Sequence, residues 1–154
     1  MKFSSQEEYG LRCLLQLAKR GESTSLTIPE IARLEGITTT HAAKLLMVLR
    51  KAEFITSERG QSGGYTLARP AKDIVVGDVL EALGGKLFDD NFCGKHTGSL
   101  DICTHAVDCS VKSLWQIIQQ AVDSVTERLT LADMLEPDQP NVVFFAERPK
   151  VQIK

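Results

Sequence analysis

Residues 27–52, TIPEIARLEGITTTHAAKLLMVLRKA, decide the fold. Thr27 can cap a helix, with Pro29 in its first turn and Glu30 at the third position of a capping box. Ile28, Ile31, Ala32 and Leu34 give that short helix an apolar stripe. Gly36 and Ile37 make a tight turn, and Thr38 or Thr39 caps a second helix that runs to about Ala52. The core face of the second helix is Ala42, Leu45, Leu46, Val48 and Leu49. Two short helices joined by a glycine-containing turn of this length are a helix-turn-helix, whose second helix lies in the major groove of DNA.

The flanks extend the same reading. Upstream, Ser4 or Ser5 can cap a first helix with Glu7 or Glu8 closing the box; Tyr9, Leu11, Leu14, Leu15, Leu17 and Ala18 supply its apolar face. Downstream, residues 54–58 and 65–68 are short β segments on either side of Arg59-Gly60-Gln61-Ser62-Gly63-Gly64, a glycine-rich hairpin turn. That hairpin is a wing. A helix from Val76 to Leu83 follows, stopped by Gly84-Gly85. Residues 85–110 show little periodicity and read as a loop. From Val111 a long helix carries a stripe of Val111, Leu114, Ile118, Val122, Val125 and Leu129, the pattern of a dimer seam. Thr130 and Asp133 start a last turn, and three prolines mark residues 136–154 as a tail.

The fold class expected is therefore mainly α with a small β-wing. Residues 1–84 form a winged helix-turn-helix domain, 85–110 a cysteine-containing loop, 111–135 a dimerisation helix and 136–154 a tail.

Recognition residues follow from the geometry of that class. Thr38, Thr39, Thr40, His41 and Lys44 occupy the start of the second helix, where side chains meet base edges. Arg50 suits phosphates, and Arg59 at the wing tip suits a narrow minor groove. The net charge of −2 argues against a nucleic-acid binder, but its distribution does not. Residues 1–72 carry +4 and residues 73–154 carry −6, so a basic half can face DNA. No apolar run is long enough to cross a bilayer and no signal peptide is visible, so a cytoplasmic location is expected.

Three of four cysteines, Cys93, Cys103 and Cys109, fall within 17 residues. Disulfides are rare in the cytosol, so such clustering favours metal or redox chemistry. Cys13 sits inside a helical apolar pattern and reads as a small buried residue. The loop also holds His96 and His105, so a structural Cys3His zinc site and thiol-only redox sensing are alternatives to an iron–sulfur cluster. No Ser/His/Asp constellation, phosphate loop or Cys-x-x-Cys pair suggests an enzyme.

The segments Leu11-Arg12-Cys13-Leu14-Leu15, Ile28-Pro29-Glu30-Ile31-Ala32, Gly63-Gly64-Tyr65-Thr66-Leu67 and Ile74-Val75-Val76-Gly77-Asp78-Val79 resemble the Rrf2 family of regulators over residues 1 to about 135. The resemblance adds Gly63 and Tyr65 to the DNA-contacting set. It implies a homodimer on a double-stranded operator. Similarity to the cluster-binding IscR, NsrR and RirA-type members implies an iron–sulfur cluster ([4Fe-4S] or [2Fe-2S]) on Cys93, Cys103 and Cys109. The first gap, nine residues between Cys93 and Cys103, is longer than in several members. In the iron–sulfur assembly regulator, the IscR type, a histidine three residues after the last cysteine is the fourth ligand; here that position is Lys112, which cannot ligate while protonated. The nitric-oxide sensor, the NsrR type, instead uses an N-terminal aspartate from the partner subunit at the position of Glu8, and that resemblance makes Glu8 the leading fourth ligand, with His96 and His105 as alternatives. A Ser5 capping box would explain Glu8 without any metal.

Overall fold

A computed structural model of the chain describes residues 4–21, 24–58, 63–89, 91–96 and 109–136. Helix α1 spans Ser5–Arg20, α2 Ile28–Glu35 and α3 Thr39–Lys51. Strands β1 (Ile55–Glu58) and β2 (Gly64–Leu67) pair antiparallel, with Ile55 opposite Leu67 and Ser57 opposite Tyr65. Helix α4 spans Val76–Gly84, α5 Phe92–Lys95 and α6 Ser110–Thr126. Single 3-10 turns occupy Ala71–Asp73 and Asp133–Leu135. This is the mainly helical winged-helix architecture that the sequence implies.

Local chemistry sets the helix starts. Thr27 accepts from the Glu30 N–H while the Glu30 carboxylate accepts from the Thr27 backbone N–H at 2.8 Å, a reciprocal box. Gly36 ends α2 with φ +66, a left-handed conformation that costs glycine little. Thr38, not Thr39, caps α3, its Oγ1 accepting from the His41 N–H at 3.2 Å. Ser4, not Ser5, caps α1, and the box partner is Glu7. The capping explanation for Glu8 is thereby overturned. Register at this end is decided by tertiary contact: Gln6 Nε2 donates to the Leu83 carbonyl, and Glu7 packs where a Cβ on Gly84 would lie.

Leu14, Leu17, Ile31, Leu45, Leu46, Leu49, Ile55, Ile74 and Val79 fill one core between α1, α2, α3, β1 and α4. The wing is tied to this body by its base. The Tyr65 N–H donates to the Leu26 carbonyl at 2.8 Å, and the Leu26 N–H returns the bond at 3.0 Å. Gly64 makes that approach possible, since a Cβ there would stand 2.9 Å from the Leu26 backbone. Gly64→Ala is therefore expected to destabilise by about 1–3 kcal/mol, the usual cost of overpacking. Gly94→Ala, where a Cβ meets nothing, serves as the control in denaturant unfolding. Equal midpoints for the two variants would refute the close-approach role.

Two stretches differ from expectation. The helix expected from Val111, with its stripe running to Leu129, begins at Ser110 and stops at Thr126. Residues after it turn back onto the winged body. The Val76 N–H donates to Leu129 O at 2.8 Å, the Leu131 N–H donates to Ile74 O at 2.8 Å, and Leu131 is fully buried in the core. Thr130 and Asp133 form the expected capping pair there. Within residues 85–110, expected as loop, Phe92–Lys95 forms one helical turn, braced by a Lys95–Asp89 ion pair at 3.0 Å. Buried Gln119 of α6 accepts from the Phe88 N–H at 3.0 Å and so holds this segment against α6.

Candidate nucleic-acid interface and cysteine hollow

The buried face of α3 is Ala42, Leu45, Leu46 and Leu49, so the opposite face is open. Thr39, Thr40, Lys44 and Arg50 are exposed on it, as is the cap residue Thr38. His41 is half-buried, its ring edge-on to Tyr9 at 5.7 Å, so it also packs α3 against α1. Arg59 lies outside the described residues. Gly63 and Tyr65 are half-buried at the wing base, where they face Ile28 and Pro29 across a shallow groove. Residue-by-residue reading overlooked Met47, which is 60% exposed and follows Thr40 and Lys44 at helical spacing. An apolar residue on the open face of a groove-reading helix can touch a thymine methyl. The signal was present in the spacing of positions 40, 44 and 47.

A second overlooked group holds the reading head in place. Glu35 is 6% exposed, on the inner side of α2. Its carboxylate accepts from Arg12 Nε at 2.5 Å and from Gln16 Nε2 at 2.6 Å, both on α1. The Glu35 bond raises the Arg12 guanidinium further above its ordinary value. This buried charge, partnered on both oxygens, ties α2 to α1, the helix on which α3 also packs.

The cysteines separate into two kinds. Cys13 is fully buried in the core, where desolvation and then the charge of Glu35 push its thiol up to about 12. A thiol so held stays protonated and inert. Cys93 and Cys109, by contrast, are half-exposed free thiols lining one hollow of about 180 Å³. Its walls are Phe88, Phe92, Val111 and Trp115, and His96 and Lys112 complete it. Cys109 is the N-cap of α6, its Sγ accepting from the Lys112 N–H at 3.3 Å. A helix N-terminus favours an anionic group at that place. His96 stacks on Phe92 with ring centres 4.2 Å apart.

Cys103 and His105 lie outside the described residues. Among the described residues, no three of His, Cys, Asp or Glu are close enough to hold a metal by themselves. Glu8 is exposed on α1, 3.7 Å from Arg12. Two soft sulfur donors on one apolar hollow suit iron–sulfur or zinc chemistry in kind, but Cys93, Cys109 and His96 are not close enough together to hold a metal without further donors. No helix of the described residues is long and apolar enough to cross a membrane.

Comparison with known proteins supplies the family. The Rrf2 profile, described as an iron-dependent transcriptional regulator, matches residues 3–137. The chain is similar to the protein rrf2 of Nitratidesulfovibrio vulgaris, with 35% identity over 140 residues, 88% of this chain and 87% of that one. Among solved structures it is similar to IscR of T. potens, with TM-score 0.68, 32% identity and coverage of 88% of this chain and 86% of the other. It is also similar to CymR, the global cysteine regulator of B. subtilis, with TM-score 0.66, 25% identity and coverage of 88% and 96%. The winged helix, its open α3 face and these matches together make the chain a member of the Rrf2 family of transcriptional regulators.

Proposed function

We propose that the chain acts as a homodimeric regulator of a DNA operator, and that an iron–sulfur cluster held by Cys93, Cys103 and Cys109 controls operator binding. The observation that carries this reading is the shared hollow of Cys93 and Cys109, 16 residues apart in sequence, with Cys103 on the segment that joins them. Likeness to IscR and the iron-dependent description of the family support it. When bound, such a cluster supplies iron centres that respond to oxidant, nitric oxide or iron supply.

The protein's part is to convert that response into geometry. Ligation through both Cys93 and Cys109 would clamp the α5 turn to the first residue before α6. Helix α6 packs on α4, where Gly77 lets Thr126 approach closely, and α4 packs on α1. A change at the cysteines thus reaches the body that carries α3. In a two-fold dimer it would alter the separation of two reading heads, which must match half-sites about 34–36 Å apart or a multiple of that. Thr38, Thr39, Thr40, His41 and Lys44 would face the major groove. Arg50 would meet phosphate, and Arg59, Gly63 and Tyr65 would place the wing.

A second reading has its own support. The likeness to CymR, a global cysteine regulator, favours a cluster-free or zinc-binding regulator that responds to thiol oxidation or a metabolite. Two free thiols on one hollow suit that chemistry, an oxidant taking two electrons and two protons as a disulfide forms.

Anaerobic purification with iron and sulfide counts separates the two readings. Operator fragments are then selected from random duplexes, and affinity is measured with and without the metal. Stoichiometric iron and sulfide with a state-dependent affinity is expected. Colourless protein that loads no iron or sulfide, yet binds duplex in a thiol-dependent manner, would establish the second reading. On the selected operator, Lys44→Ala should cost about 1–3 kcal/mol and relax one base position if Lys44 reads a base; on phosphate it lowers the salt slope by about one instead. Parent-like affinity and salt slope would remove Lys44 from the interface.

A further inference from the structure

A helix in the major groove and a wing in the adjacent minor groove lie on either side of one sugar–phosphate strand, because that strand is what separates the two grooves. In this chain an open hollow of about 510 Å³ stands between the end of α3 and the strands of the wing, bordered by Arg50, Thr56, Ser57 and Arg69. Arg50 follows Met47 by three residues, so it carries the open stripe of Thr40, Lys44 and Met47 to the edge of the hollow. Thr56 and Ser57 of β1 are exposed on the other side.

Arg69, just past β2, is held in place at this hollow. Its guanidinium lies over the Phe54 ring at 5.2 Å. Nε donates to the Asp73 carbonyl oxygen at 3.1 Å, and Nη1 donates to the Glu53 carbonyl oxygen at 3.3 Å. Glu53 stands in the turn that joins α3 to β1, at φ +61, a left-handed conformation uncommon for a residue with a side chain. Both bonds go to neutral carbonyls and use two of the five guanidinium N–H groups, so three donors and the whole charge are left over. Among the described residues no carboxylate lies within ion-pair distance of Arg50 or Arg69. Glu53 brings one carboxylate to the border of the hollow, and the two guanidinium groups leave it net positive. We propose that this hollow seats a backbone phosphate of the strand between the two grooves, gripped by Arg50 and Arg69. The guanidinium fork matches phosphate oxygens. The proposal rests on the operator reading above and deepens it. Arg69, which belongs neither to α3 nor to the wing tip, becomes a phosphate contact anchored on the turn that links them.

The test measures affinity of the full-length protein, kept in a single metal state, for one selected operator duplex and one random duplex across a salt series. Each phosphate contact contributes about one to the slope of log affinity against log salt. Arg69→Gln keeps hydrogen-bond donors without the charge. It is expected to lower the slope by about one per bound subunit and to weaken both duplexes by the same factor, since a phosphate carries no sequence. Arg69→Lys keeps the charge and loses the fork, so its slope should stay with the parent while its denaturant midpoint falls. An unchanged slope in Arg69→Gln would overturn the seat. An equal fall in Arg69→Gln and Arg69→Lys would also overturn it, because that is the pattern of a clamp on the Glu53 turn alone. Circular dichroism checks the fold of each variant, and if Arg69→Gln fails to fold, Thr56→Lys decides. A cation added at the rim of a phosphate seat raises the slope by about one per subunit; an unchanged slope there means that the hollow faces away from DNA and refutes the proposal. Duplex binding with these slopes wrong removes the seat and leaves the operator reading standing. A parent that binds neither duplex at low salt would overturn both.

Discussion

Cys93→Ala, Cys103→Ala and Cys109→Ala should each lose nearly all bound iron and sulfide, while Cys13→Ala loads like the parent. Iron–sulfur clusters depend on protein thiolates, and with three cysteines in the set no spare sulfur exists to replace a lost one. Cys93 and Cys109 are accessible at a single hollow, and Cys109 sits where the α6 N-terminus favours an anion. Cys13 can join neither. It is fully buried, and its thiol is pushed up to about 12. The variant Cys13→Ala should instead show a packing loss of about 0.5–1.5 kcal/mol, the range for removing a methyl-sized buried group. Iron and sulfide counts on the four variants, each checked by circular dichroism, decide the matter. Full loading of Cys103→Ala, or loss of loading in Cys13→Ala alone, would show that the ligand set is wrong.

Legibility of the fold in the sequence depended on range. Thr27 with Glu30, Thr38 with the His41 N–H, and Thr130 with Asp133 were readable because each side chain satisfies backbone groups only three residues away. The start of α1 was ambiguous between Ser4 with Glu7 and Ser5 with Glu8. Both registers satisfy the local rule, and contacts to Leu83 and Gly84, far along the chain, choose between them. The same limit hid Glu35. A carboxylate on a short helix reads as solvent-facing until Arg12, 23 residues earlier, is seen to cover it. It also hid the end of α6, since Leu129 keeps helical spacing with the stripe but its carbonyl serves Val76.

For the candidate site, sequence and structure contributed different parts. Clustering of Cys93, Cys103 and Cys109 was visible as spacing, and so was the separateness of Cys13. The placement of His96 beside Phe92 was not, because it depends on the one-turn helix α5 inside a stretch with no periodicity. Met47 was legible in principle. Of the expected α3 core face, Ala42, Leu45, Leu46 and Leu49 are buried and Val48 half-buried, and the open face that holds Met47 is the complement of that set.

If α6 carries the seam of the proposed homodimer, Ile117→Asp should leave the protein monomeric. On a helix packed against its own chain, the outward face is ordinarily polar. Helix α6 breaks that rule over its first turns, where Val111 is 57%, Leu114 51% and Ile117 61% exposed within one chain. Trp115 is also open, while Gln119 is buried and bonded to the Phe88 N–H. The stripe read in the sequence is thus divided: its Val111 and Leu114 are open, its Ile118, Val122 and Val125 are half-buried against the same chain, and Ile117 extends the open face beside it. That distinction selects the variant. Ile118→Asp would damage the subunit and its association together, whereas Ile117→Asp leaves the subunit's own packing intact. Burying each large side chain of the seam contributes about 1.5–3 kcal/mol. A two-fold interface counts every residue twice, so the substitution would put two unpaired carboxylates into an apolar seam. A loss of about 3–5 kcal/mol in association follows, a weakening of roughly 10²- to 10³-fold or more. Sedimentation equilibrium across a concentration series should show monomer with unchanged circular dichroism, and binding to a palindromic duplex should fall with it. Ile117→Asp that sediments as a dimer at micromolar concentration would move the interface away from α6.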